Sequence, residues 1–338
     1  MRMTVLASGS KGNSTVISSS KTRVLVDAGL SCRELLRRMA IAGEDPATLD
    51  AIIITHEHID HVAGLAVLAR RLNIPVFFTE PTHRAWVRMI TPRTTMTYAK
   101  WLDHVQREKE ARAIATTTKS ITNPRAPAPA LEDMGSSSNM NIPSITAETD
   151  PDADPDADLD LPLPKVKANP AHLPAVEYFH AGTNFSIGDL EISPFTIPHD
   201  AADPCGFVFE ADGIRMALAT DLGYMPPNVK AALKRVDVLL LESNHDLEML
   251  RDGPYPWSVK QRVLSRVGHL SNHATAEFLQ KDYDGGAAYI ILGHLSEANN
   301  APELALLAAQ QAIGNRLTLL GNRIVLARQD APINPVTL

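Results

Sequence analysis

His56, His58, Asp60 and His61 stand within six residues of one another, in Thr55-His-Glu-His-Ile-Asp-His61. Imidazole and carboxylate at this density suit a metal ion. In an extended loop side-chain direction repeats every two residues, so His56 and His58 project to one side. Asp60 and His61 project elsewhere as the chain turns. That arrangement suits two neighbouring ions, one for each pair, and the donor types favour zinc, iron or manganese over calcium or magnesium. Asp60 taken alone could be a helix cap; three histidines beside it make that the weaker reading. The loop offers at most two side-chain ligands to each ion, so a hydrolytic centre needs more from downstream.

The flanking elements explain how such a loop is held. Residues 49–54 form a short apolar, β-branched run with the character of a buried strand, and residues 62–71 read as a helix. The ligands are therefore expected on a strand-to-helix loop. Upstream, strands are predicted over 3–7, 15–17 and 23–27, then an amphipathic helix over 31–42 with Leu35, Leu36 and Met39 inward. A strand over 74–78 and a short helix over 81–89 follow. Beyond residue 184 short strands return at 185–187, 190–192, 207–209, 216–219, 238–241 and 289–292, with helices over 228–234, 258–267, 274–281 and 302–313. Meanders followed by strand–helix alternation, given twice, predict sheets in the middle with helices outside. Each of four later strands is followed by ligand-type residues: His199, Asp221, Glu242 with His245, and His294. Loops at one sheet edge converge, so these can meet the first motif. Asp27, at the end of its strand, is either a prop for the metal loop or a simple turn aspartate.

With 338 residues, 44% hydrophobic and 5% aromatic, the chain is long enough for one large domain or two ordinary ones with an aliphatic core. No apolar run approaches the ~18 residues of a membrane span. Cys32 and Cys205 form no CxxC pair, which argues against a disulfide framework and predicts a cytoplasmic protein. The net charge of −7 is local: residues 126–175 carry nine carboxylates against Lys165 and Lys167, leaving the rest of the chain neutral. Overall acidity thus says little about the partners of the site. Residues 92–176, proline-rich and including Asp150-Pro-Asp-Ala-Asp-Pro-Asp-Ala-Asp158, cannot bury enough apolar surface to order themselves. They are expected to be a disordered insertion within a single domain made of 1–91 and 177–328, with 329–338 as a C-terminal tail.

His56-x-His58-x-Asp60-His61 with His199, Asp221 and His294 resembles the metallo-β-lactamase-fold hydrolase superfamily. Ser8-Gly-Ser-Lys-Gly-Asn13, His199-Asp-Ala-Ala-Asp-Pro204, Leu241-Glu-Ser-Asn-His-Asp246, Gly253-Pro-Tyr-Pro-Trp257 and Gly268-His-Leu-Ser-Asn272 are similar to its YycJ/WalJ-type subgroup. The resemblance covers about 1–90 and 177–328. It implies an α+β fold, a four-layer αββα sandwich with the site at one sheet edge. It also implies His56, His58 and His199 on one divalent ion, Asp60, His61 and His294 on a second, and Asp221 bridging. A hydroxide shared by the two ions would be the attacking group. His269 resembles the proton-donating histidine of RNase Z-like relatives, with Glu242 orienting it; its bland alternative is an N-terminal helix feature.

Trp257, Lys260 and Arg262, with Tyr255 and Arg266, lie close in sequence and could stack bases and meet phosphates of a single strand. Alternatively Trp257 packs a loop and the charges face solvent. The resemblance favours the first, implying a phosphodiesterase that acts as a 5′→3′ exonuclease on single-stranded DNA. An ester, thioester or lactone hydrolase on the same metal pair is the second reading. A binding module with a vestigial site is the third; it predicts missing ligands, and none is missing.

Overall fold

The computed structural model describes residues 1–91, 169–314 and 323–338, with isolated helical positions at 102, 106 and 107. Pro92–Ala153 falls in a separate unit, and the strands and helices named here belong to the unit that holds the rest. The insertion expected over 92–176 lies outside the described residues, except for those three positions and its last eight.

The first half runs β1 (Arg2–Ala7), β2 (Ser14–Ser18), β3 (Arg23–Val26), α1 (Cys32–Ala42), β4 (Ala51–Ile53), α2 (Ile59–Val62), α3 (Leu65–Leu72), β5 (Val76–Phe78) and α4 (Glu80–Ile90). The second runs β6 (Val176–Tyr178), β7 (Phe185–Ile187), β8 (Leu190–Thr196), β9 (Cys205–Ala211), β10 (Ile214–Ala219), α5 (Pro227–Ala232), β11 (Val238–Glu242), α6 (Leu247–Asp252), α7 (Trp257–Val263), α8 (Asn272–Lys281), β12 (Tyr289–Gly293), α9 (Pro302–Ile313), β13 (Arg323–Leu326) and β14 (Val336–Thr337). Among the described residues these strands make two sheets, ordered β14-β1-β2-β3-β4-β5-β6 and β13-β12-β11-β10-β9-β8-β7. Each begins as an antiparallel meander and continues as parallel strands, β3 to β6 in one and β10 to β13 in the other.

Three cores separate four layers. Val5, Ile17, Val26 and Ile53 face Ile192, Phe207, Leu218 and Leu240 between the sheets. The other faces of the same strands, through Leu6, Val16, Leu25 and Ile52, pack under Leu35 and Met39 of α1, Leu65 and Leu68 of α3 and Trp86 of α4. In the second sheet Ala217, Leu239, Leu241 and Ile290 meet Val229, Phe278, Leu279, Ala305 and Ala309 of the outer helices. Alternation along a strand does this: Leu239 and Leu241 turn outward while Val238 and Leu240 turn inward. Leu35 and Met39 are four residues apart, so α1 presents one buried stripe, capped by Ser31 and closed by a left-handed Gly43. The fold is the expected αββα sandwich.

Several boundaries differ from the sequence expectation. Residues 169–176, assigned to the insertion, reach the folded body: Leu173 is buried in the core that also holds residues of α1, α3 and α4, and Val176 begins β6, which pairs with β5. The presumed tail supplies β14, which pairs with β1 and buries Ile333 and Val336. The helix expected over 62–71 is broken at Gly64, whose Cα packs on the Leu30 carbonyl where a Cβ would not fit. Asp60 and His61 consequently sit in the one-turn α2 and not in an open loop. No helix among the described residues is long and apolar enough to cross a membrane.

Candidate metal centre

The sheets deliver their ligand-type residues at the carboxyl ends of parallel strands, where loops from both sheets meet. Asp27 follows β3, the His56–His61 segment follows β4, Asp221 follows β10, Glu242 ends β11 and His294 follows β12. Three of these have left-handed backbones although none is glycine: Asp27 (φ 61°), Asp221 (φ 64°) and His294 (φ 56°). Such residues are held there only when the surroundings over-determine them, at about 1–3 kcal/mol each.

At that edge the described residues form overlapping groups whose potential ligand atoms lie within 4.8 Å of one another: His56, His58 and His199; Asp60, His61 and His294; His56, His61 and Asp221; and Asp221, Glu242, His269 and His294. His58 Nδ1 faces His199 Nε2 at 3.2 Å. His61 Nε2 lies 3.4 Å from Asp221 Oδ2 and 3.6 Å from Asp60 Oδ2. Asp221 Oδ1 is 3.5 Å from His294 Nδ1 and 3.9 Å from His199 Nε2, so this carboxylate stands between the two triads. His56 Nε2, Asp221 Oδ2 and His294 Nε2 are buried without a hydrogen-bond partner. Buried donors and acceptors are otherwise nearly always satisfied. Three orphaned atoms converging among imidazoles and carboxylates fit divalent cations, which the donor set suits chemically.

A second layer orients these groups. His61 Nδ1 donates to Asp27 Oδ2 at 2.8 Å; Asp27 Oδ1 accepts the Thr55 amide at 2.9 Å, and Oδ2 the Thr55 hydroxyl at 2.9 Å. Asp27 is therefore the prop of the metal loop. Glu242 is entirely buried and accepts four bonds: His269 Nδ1 (2.8 Å) and His294 Nδ1 (2.9 Å) on Oε1, and the amides of Leu222 (2.7 Å) and Leu270 (3.2 Å) on Oε2. Burial would raise its carboxyl, but His269 and His294 hold it far below the usual range. Burial likewise pulls His61 down, yet Asp27, Asp221 and Asp60 outweigh it and hold the imidazole at about 9. Burial, with His61 and His199 adding to it, pushes His56 well below 6.5.

Two expected outcomes follow from this packing. A divalent ion must displace the proton that these carboxylates keep on His61. Its folded pKa lies above the usual 6.5, so the protonated form dominates below that value and gives way as pH rises toward about 9. Apparent zinc or manganese affinity therefore rises across this window with net proton release. His294, also held well above 6.5 against its burial by Asp221, Asp60 and Glu242, adds its own proton; calorimetry in buffers of different ionisation enthalpy measures the release. Affinity that stays flat from pH 6.5 to 9 would remove His61 from the ligand set. The second concerns Gly29, whose amide bonds Asn13 O while its Cα lies against the Asp60 carbonyl. A Cβ there drives into Asp60 backbone, so Gly29→Ala lowers stability by about 1–3 kcal/mol, the scale of overpacking, together with metal content. An unchanged urea midpoint with full metal loading would count against it.

The remaining candidates separate. Arg262 lines the cavity beside the clusters and pairs with Asp200. Trp257 is 67% exposed and does not line that cavity. Lys260, expected to meet phosphate, is buried, its ammonium donating to the carbonyls of Arg251 (2.7 Å) and Gly253 (2.8 Å); this corrects its assignment as a substrate contact. Arg266 stacks over Tyr224. His245 is buried, with Nδ1 against Asn244 Oδ1. Cys205 is a core residue, its thiol pushed up by burial to about 12. Sequence reasoning gave no role to Ser8, whose Oγ accepts the His294 amide, or to Asn13, whose Nδ2 reaches His61 Nε2 and Asp60 Oδ2. Their Ser8-to-Asn13 turn, dense in small residues between two strands, was the available signal.

Fold and site define a class. Residues 7–259 match the model of the Metallo-beta-lactamase superfamily, and the chain belongs to that superfamily. It is 32% identical over 304 residues to "Exodeoxyribonuclease WalJ" of Streptococcus pneumoniae serotype 2 (strain D39 / NCTC 7466), spanning 90% of this chain and 85% of the relative. To "Exodeoxyribonuclease YycJ" of Bacillus anthracis it is 30% identical over 313 residues, 93% and 89% of the two chains. A solved structure, the metallo-beta-lactamase fold protein YhfI from Bacillus subtilis, superposes with a TM-score of 0.54 at 13% identity over 98% of this chain and 99% of that one; it speaks to the fold alone.

Proposed function

We propose that the chain is a metal-dependent phosphodiesterase that removes nucleotides from an end of single-stranded DNA, in the 5′→3′ direction, in the cytoplasm. In this reading His56, His58 and His199 hold one divalent ion and Asp60, His61 and His294 a second, with Asp221 between them; zinc, manganese and iron are the candidates. When bound, such a pair supplies activated water at neutral pH and neutralises charge on the phosphoryl oxygens. The chain's own residues do the rest. Glu242 accepts the Nδ1 proton of His269 and so turns Nε2 to the cavity. The imidazolium, protonated on both nitrogens, gives its Nε2 proton to the departing sugar oxygen and is left as the neutral imidazole with its Nδ1 proton still on Glu242. Arg262 offers a cation to phosphate at the rim.

The observation that carries this reading is the Glu242–His269 pair beside the metal ligands. A departing alkoxide needs a proton donor, whereas a thiolate leaves without one. The names of the relatives, both exodeoxyribonucleases, support the same substrate class. The two free, buried cysteines fit a reducing compartment.

The test gives metal-reconstituted protein 5′-phosphorylated single-stranded DNA and, in parallel, a thioester and a lactone. Shortening of the DNA from its 5′ end, absent with Asp221→Ala, is the expected result. Intact DNA with turnover of an ester would move the chain to the second class of hydrolase.

A further inference from the structure

The cavity at the metal centre measures about 310 Å³, at the small end of ligand pockets, which suits one terminal unit of a polymer and not several. Its walls differ in kind. Asp60, His199, Asp221, His269 and His294 form the chemical side. Ile59, Tyr255, Val259 and Val263 add apolar lining, with Ile59 62% and Val259 39% exposed. Uncovered β-branched residues that share this lining with an aromatic ring are not explained by the metal chemistry.

Tyr255 stands in the short connection between α6 and α7, flanked by Pro254 and Pro256. Both prolines restrict the backbone around it. The connection is also braced from within. Lys260 Nζ reaches back from α7 to the carbonyls of Arg251 and Gly253, and a Cβ on Gly253 would run into the Met249 carbonyl as well as the Asn299 side chain. An ammonium on two carbonyls of one turn fixes the backbone of that turn, from which Tyr255 joins the cavity lining.

Building on the nuclease reading above, we infer that Tyr255, positioned by the Lys260 brace, is the stacking platform for the terminal nucleobase, with Ile59 and Val259 enclosing the ring. Every base has a π-face, so such a subsite holds a strand end without reading its sequence. It also places the base on the apolar wall while Arg262, on the same rim, meets the phosphate. Lys260 is a positioning residue; it touches no substrate.

The experiment compares metal-loaded wild type, Tyr255→Ala, Tyr255→Phe and Lys260→Met on two oligonucleotides that differ only in whether the terminal residue carries a base. Wild type is expected to favour the base-bearing end about tenfold in KM, the order that one base–aromatic stack provides. Tyr255→Ala raises KM about tenfold on the base-bearing end, keeps kcat within about twofold, and loses the discrimination; the non-additive pair isolates the contact. Tyr255→Phe keeps the discrimination, and Lys260→Met weakens it. If Tyr255→Ala still discriminates as wild type does, the platform is wrong while the nuclease reading stands. Lys260→Met with undiminished discrimination overturns the brace. If wild type shortens neither DNA, both readings fall together.

Discussion

Asp221→Ala should lower DNA turnover by on the order of 10³-fold and leave the protein short of metal. The loss should exceed the 10–100-fold typical of residues behind the first ligands, because Asp221 lies between both triads: one oxygen is 3.4 Å from His61 of one and the other 3.9 Å from His199 of the other. It is buried, its Oδ2 has no partner, and its left-handed backbone is ordered without glycine. Nothing in the protein fold alone requires that combination. Asp221→Asn is the sharper variant, because asparagine tolerates the left-handed region and preserves the shape while removing the charge. Both variants should fold, as judged by circular dichroism, yet bind fewer than two ions per chain by elemental analysis. Full metal content, or activity within tenfold of wild type in either variant, would displace Asp221 from the bridging role.

The motif around His56 and the placement of Asp221, Glu242 and His294 after strands were legible because both depend on local pattern: a buried apolar run, then a polar ligand at its end. The layering was legible for the same reason, since alternation in β11 and the Leu35–Met39 spacing of α1 are local signals. What escaped depends on contacts distant in sequence. Glu242 and His294 are 52 positions apart, and nothing near either announces that one carboxylate serves two histidines. Lys260 reads alike whether its ammonium faces a phosphate or turns back onto Gly253; only the packed turn decides. Gly64 breaks a helix because its amide bonds the carbonyl of Ala28, a neighbour from another loop. The strands β6 and β14 are three and two residues long, too short for a periodic signal, and exist through pairing with β5 and β1.

His269→Ala should cut hydrolysis of DNA by about 10²–10⁴-fold, the usual contribution of a positioned acid, with metal content unchanged. The geometry separates the two effects. His269 shares Glu242 with His294 but is the one partly open to the cavity, so removing it leaves the four bonds of Glu242 reduced by one and the ligand triads whole. Its defect should then depend on the leaving group. On a p-nitrophenyl phosphodiester, whose phenolate departs without a proton, the variant should approach wild-type rates, while the sugar alkoxide of DNA remains a poor leaving group. Glu242→Gln should behave differently, because Oε1 also fixes His294, and an amide in that place both loses the charge that favours two imidazole donors and disturbs a candidate ligand. It should lower metal affinity as well as rate, on both substrates. A His269→Ala variant equally impaired on activated and unactivated diesters would mean that His269 positions the substrate and does not protonate it. The leaving-group dependence of the rate ratio, measured across a series of phenols of graded pKa, distinguishes the two.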